Sequence, residues 1–162
     1  MTETIVNSIV DFFSNSVPPQ LVAFLISLFP VLELRGGMIA ARLLQIDFLQ
    51  AFAICYIGNM LPIPFILLFI RKIFSWMRKY GFFAKIVDKL EARSEKKKDK
   101  VLKYKEWGLL LFVAIPLPGT GGWTGALMAA LLDLRMKKTL PIIAIGVFIA
   151  GLIMSLITYG IF

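Results

Sequence analysis

Two charged side chains stand where the chain is otherwise apolar. They are Glu33 and Arg35, in the run Pro30-Val31-Leu32-Glu33-Leu34-Arg35-Gly36-Gly37. An acid and a base this close can neutralise each other. They can also divide the labour: a buried carboxyl can take up a proton, and a guanidinium presents a planar fork suited to phosphate oxygens. A second run, Pro116-Leu117-Pro118-Gly119-Thr120-Gly121-Gly122, is uncharged but rich in turn residues. Glycine lets backbone approach a ligand closely, and Thr120 can cap a helix or donate to an oxyanion. Half-helices beginning near Gly37 and Gly122 would aim free N–H groups and positive dipole ends at an anion. The candidate substrate-binding residues are therefore Glu33, Arg35, Gly36, Gly37, Pro118, Gly119, Thr120, Gly121 and Gly122. The plainer reading makes Glu33 and Arg35 an ion pair and the glycines simple turns.

Other chemistries are excluded by what is missing. The chain has no histidine, which removes His-based metal sites, Ser-His-Asp catalysis and His proton relays. Its one cysteine, Cys55, lies inside an apolar run and reads as a packing residue. No nucleophile–base set or metal cluster is visible, so neither an enzyme, a cofactor nor a bound metal is expected.

The elements that must position the two motifs are hydrophobic. Of 162 residues 59% are hydrophobic, more than a soluble domain of one-domain length normally carries. Thr2 to Asn15 reads as an interfacial amphipathic helix, with Ile5, Ile9, Phe12 and Phe13 on one stripe. Its acidic start lacks the basic region of a secretory signal. Leu21 to Leu32 is apolar but, at roughly 18 Å, too short for a hydrocarbon core about 30 Å thick. With Met38 to Leu44 it reads as a re-entrant hairpin; the competing reading is one spanning helix from Phe12 to Leu32. Phe48 to Ile70 is long enough to span and should kink at Pro62 and Pro64. Trp107 to Leu132 is uncharged but broken at its centre, and basic residues flank it on both sides, which predicts a second hairpin that enters and returns. Thr139 to Phe162 is the second spanning segment. Arg42, Trp107 and Trp123 fit interfacial or packing roles.

Between the halves, residues 71 to 105 carry thirteen basic and four acidic side chains, a net of +9. Such a loop stays cytoplasmic, and anionic lipid is a better partner for it than nucleic acid. Residues 89 to 100 within it are helical by propensity. The fold class expected is an all-α integral membrane protein, one domain over 1–162. Repeat 1 covers about 1–70 and repeat 2 about 106–162. Each repeat holds an interfacial helix, a broken hairpin and a spanning helix. Leu32 to Gly37 aligns with Leu117 to Gly122 at an offset of 85. Opposite crossing directions make this an inverted-topology repeat with its two tips meeting near the midplane, the usual position of a transport site.

The two tip motifs resemble those of the bacterial small multidrug export protein family, over nearly the whole chain. That family is in turn distantly similar to the DedA membrane proteins, which also carry paired re-entrant hairpins. The resemblance implies a multi-pass protein of the bacterial inner membrane. The DedA likeness implies movement of phosphate-bearing lipids such as undecaprenyl phosphate between leaflets. DedA proteins carry arginines around the second tip motif; here Arg35 is the only arginine at either tip.

The leading expectation is a transporter of an amphipathic, anionic substrate, a lipid-linked phosphate first among them, with ion or proton coupling as a variant. Export of cationic drugs is the alternative within the class, and a structural or accessory membrane subunit the alternative outside it. The expected partners are the bilayer and the substrate. A homo-oligomer is compatible with the reading, and nucleic acid is not expected.

Overall fold

The computed structural model describes residues 17–77, 105–117, 119–132 and 134–160, with positions 4, 79, 88, 89 and 92. The expected amphipathic helix over 2–15 and the helical part of the basic loop lie outside the described residues, apart from those isolated positions. All the regular structure described is helical: α1 (Pro19–Leu28), α2 (Glu33–Leu43), α3 (Phe48–Met60), α4 (Ile63–Met77), α5 (Lys105–Ala114), α6 (Gly122–Leu131) and α7 (Met136–Tyr159).

Proline and glycine chemistry sets the boundaries. Pro19 opens α1 at N1, where a missing N–H costs nothing. Phe29, held extended ahead of Pro30, closes it. A single helix from Phe12 to Leu32 is thereby excluded, because α1 starts at Pro19 and stops after ten residues. Asp47 caps α3 by accepting the Leu49 N–H at 3.1 Å. The apolar stretch Phe48–Ile70 is bent at Leu61-Pro62 as expected, and Pro64 falls harmlessly in the first turn of α4. In α7, which begins at Met136, three residues before the expected start, Gly160 ends the helix in the left-handed region.

Two stretches, Phe48–Ile70 and Met136–Tyr159, are long and apolar enough to cross a bilayer. Only 28% and 39% of their most apolar windows are buried. In a water-soluble bundle the most apolar helices would be the most enclosed. Here Leu61, Phe65, Leu68, Ile145, Leu152 and Leu156 face outward instead, which suits lipid as the solvent.

The two halves share one packing plan. α1 packs on α2 and α3, and α5 packs on α6 and α7; each returning helix, α2 or α6, also packs against the long helix of the other half. The register differs from the expected 85. α1 and α5 are both ten residues and begin 86 positions apart. Beyond the tips the spacing is 88. The Ile46 N–H donates to Ala41 O and the Leu134 N–H to Ala129 O, both at 2.9 Å, closing α2 and α6 with the same C-terminal motif. The N-caps Asp47 and Arg135 follow at the same interval. So do Gly58 and Gly146: a β-carbon on the first would meet Phe24 O, and on the second Leu110 O. The two Gly-Gly pairs are therefore not equivalent, and the second tip is two residues longer.

Candidate functional site

The first tip is the break Phe29–Leu32, and α2 begins directly at Glu33, earlier than the expected start near Gly37. Glu33 takes φ +50, a left-handed conformation that costs a non-glycine residue about 1–2 kcal/mol. The reason is visible at its other end. The Glu33 carboxylate, on a residue 5% exposed, crosses to the second tip and accepts the Gly122 N–H at 3.0 Å. The Trp123 backbone N–H and the Asn59 side-chain amide donate to it as well. Glu33 therefore supplies the anion that the N-terminus of α6 favours.

Arg35 reaches the same tip from two residues further along α2. Its Nη2 donates to Thr120 O at 2.7 Å and to Thr120 Oγ1 at 3.0 Å, and its Nη1 donates to Leu117 O. These acceptors lie in the break just past the C-terminal end of α5, where a cation is favoured. Thr120 organises the loop from within. Its hydroxyl lies 2.7 Å from Ile115 O and 2.8 Å from Leu117 O, and its Oγ1 accepts the Leu117 N–H at 3.1 Å. Glu33 and Arg35 thus attract each other through space while each is tied to a different part of the opposite tip. Arg35 is partly buried, less enclosed than Glu33.

Glycine is required at Gly121. It caps α6 with φ +130, and a β-carbon there would sit 2.1 Å from Glu33 Oε2. Gly119, at φ +78 with open space around its β position, suits the turn. Pro118 lies outside the described residues.

Gly36 and Gly37 are not at the junction, contrary to expectation. They lie inside α2 and serve packing: a β-carbon on Gly37 would fall 1.7 Å from Ser27 Oγ and 2.9 Å from Cys55 Sγ, and one on Gly36 2.7 Å from Leu32 Cβ. The structure therefore gathers Glu33, Arg35, Thr120, Gly121 and Gly122, and separates Gly36 and Gly37 from them.

Asn59 is the residue that sequence reasoning missed. It is 2% exposed, and its Oδ1 has no hydrogen-bond partner among the described residues; Trp123 Nε1 is buried in the same condition. Such orphans are uncommon. The available signal was a lone amide within a 23-residue uncharged run. No cluster of three or more Cys, Asp or Glu that could hold a metal occurs among the described residues.

No curated protein and no solved structure matches the chain. A family model does match, over residues 33–153, which takes in Glu33 and Arg35, the second tip and most of α7. With two membrane-capable helices and a paired-tip junction inside that match, the chain belongs to the membrane protein family described as "Putative small multi-drug export protein".

Proposed function

We propose that the protein is a membrane transporter whose substrate is handled where the two tips meet, and that the substrate is amphipathic with an anionic group. In this reading α1–α2 and α5–α6 are re-entrant hairpins entering from opposite faces, and the two halves form an inverted-topology repeat in a bacterial inner membrane. The loop 71–105 is cytoplasmic, and the chain is neither an enzyme nor a nucleic-acid binder. Support comes from the lengths: α1, α2, α5 and α6 have ten or eleven residues each, about 15–17 Å, half of what a crossing needs. Paired broken helices meeting from two halves are the arrangement in which transport sites are found.

One observation carries the sign of the substrate. Glu33 is enclosed and its carboxylate is satisfied by the α6 N-terminus, whereas Arg35 is only partly buried. The charge left facing an incoming group is positive. A phosphate oxygen can engage the open side of a guanidinium, which makes a lipid-linked phosphate such as undecaprenyl phosphate the leading substrate, in keeping with the DedA likeness. A cationic drug would instead need Glu33 free of its three donors. An accessory-subunit role would leave transport indifferent to either residue.

The experiment is flux in reconstituted vesicles, with a fluorescent polyprenyl phosphate and a cationic dye offered separately. The expected result is movement of the phosphate, lost in Arg35→Ala and reduced in Arg35→Lys. Dye flux that depends on Glu33 alone would transfer the site to cation export. Absence of both fluxes from folded protein would favour the accessory role.

A further inference from the structure

The end of α4 carries a feature that the tips do not use. Lys72, Ser75, Trp76 and Lys79 line an open groove of about 370 Å³. Their spacing of three, four and seven places them on one helical face. Lys79 lies just past the last residue of α4 and stays against the helix end, because its N–H donates to Trp76 O at 3.1 Å. Two ammonium groups therefore flank a hydroxyl and an indole that is 58% exposed.

The position of the groove identifies its occupant. The uncharged stretch Phe48–Ile70 is 23 residues, about 34 Å along a helix, so a hydrocarbon core about 30 Å thick ends close to Ile70. Lys72 to Lys79 then emerge at the level of the lipid headgroups. There an indole prefers the interface and an ammonium meets phosphate. We infer that this groove is a binding site for the phosphodiester headgroup of an anionic membrane lipid. Lys72 and Lys79 contact the phosphate from two sides, Ser75 donates to it, and Trp76 packs on the glycerol region. The inference rests on membrane insertion alone and stands apart from the transport reading.

The test is native mass spectrometry of the full chain released from nanodiscs of phosphatidylglycerol and phosphatidylcholine in equal amounts. Wild-type protein should retain phosphatidylglycerol in preference. Lys72→Gln with Lys79→Gln should lower that retention about tenfold to thirtyfold, on about 1 kcal/mol per lysine at a charged surface. Lys72→Arg with Lys79→Arg should keep it. The control is Lys137→Gln with Lys138→Gln, which removes the same charge from the start of α7, outside the groove; it reads the diffuse surface attraction alone and should lower retention clearly less than the groove pair does. Equal loss from the control pair would overturn the site in favour of diffuse attraction. Unchanged retention in the first variant would also overturn it. So would displacement of the lipid by millimolar inorganic phosphate, which would mark a free-anion site.

Discussion

Glu33 and Gly121 occupy the same place in the two halves of the protein, 88 positions apart, and they touch. Both take positive φ at the start of a returning helix, and Glu33 Oε2 fills the space that a Gly121 side chain would need. In the inverted-repeat reading proposed above, two equivalent positions touch near the axis that would relate the halves. The junction is thus the place where similar backbones carry dissimilar side chains, an acid on one side and no side chain on the other. A second acid at 121 would place like charges in one buried site.

Gly121→Ala should expel the Glu33 carboxylate. The cost combines a strained φ with buried N–H groups left unpaired, about 2–4 kcal/mol. Gly119→Ala is the matched control, since its φ is also positive but its β position is open; strain alone should cost about 1–2 kcal/mol there. Thermal unfolding in detergent measures both. Equal losses would show that the Glu33 contact contributes nothing.

Glu33 and Arg35 should not behave as a simple pair. Were they only partners, Glu33→Gln with Arg35→Gln would restore stability and flux, because no unpaired charge would remain. The structure gives each its own partners across the junction, Gly122 for one and Leu117 with Thr120 for the other. The double variant should therefore remain inactive and be less stable than either single variant. A fully active double variant would remove the junction from the transport cycle.

Gly37→Ala tests packing away from the site. Its β-carbon would collide with Ser27 Oγ, and crowding a packed helix pair costs about 1–3 kcal/mol. Ser27→Ala clears that oxygen, leaving Cys55 Sγ 2.9 Å and Ser27 Cβ 3.0 Å from the new β-carbon. The pair Gly37→Ala with Ser27→Ala should accordingly recover part of the lost stability and carry wild-type flux. Persistent loss of flux at restored stability would return Gly37 to the substrate site.

The difference between Gly37 and Gly121 shows what the sequence could reveal. Apolar run lengths, Pro18-Pro19, Pro30 and the Pro116–Gly122 break are local signals, and the helices follow them closely. A Gly-Gly pair is ambiguous, because the same residues serve a turn at Gly121 and close helix packing at Gly37. Only the surroundings decide, and those are long-range contacts with Glu33 in one case and Ser27 in the other. Asn59 was equally illegible. A single amide in an apolar run becomes informative once Glu33 is seen to face it from another helix.

The re-entrant course proposed for α5 and α6 is testable by accessibility. Each helix has ten residues, so a chain that enters at Trp107 and turns at Pro116–Gly121 has the length to return but not to cross twice. Lys103 and Lys138 flank the segment, and basic clusters on both sides favour a shared cytoplasmic side. Cysteines placed at these positions should both be shielded from an impermeant thiol reagent in intact cells and both react after permeabilisation. The background needs Cys55→Ser, a conservative change at a buried thiol whose neighbours are Ser27 and the Gly37 backbone. A third cysteine at Gly160, the C-terminal cap of α7, should react from outside, because α7 is long enough to cross once. Labelling of Lys103→Cys without Lys138→Cys, or the reverse, would mean that the segment crosses the membrane, and the inverted repeat would have to be abandoned.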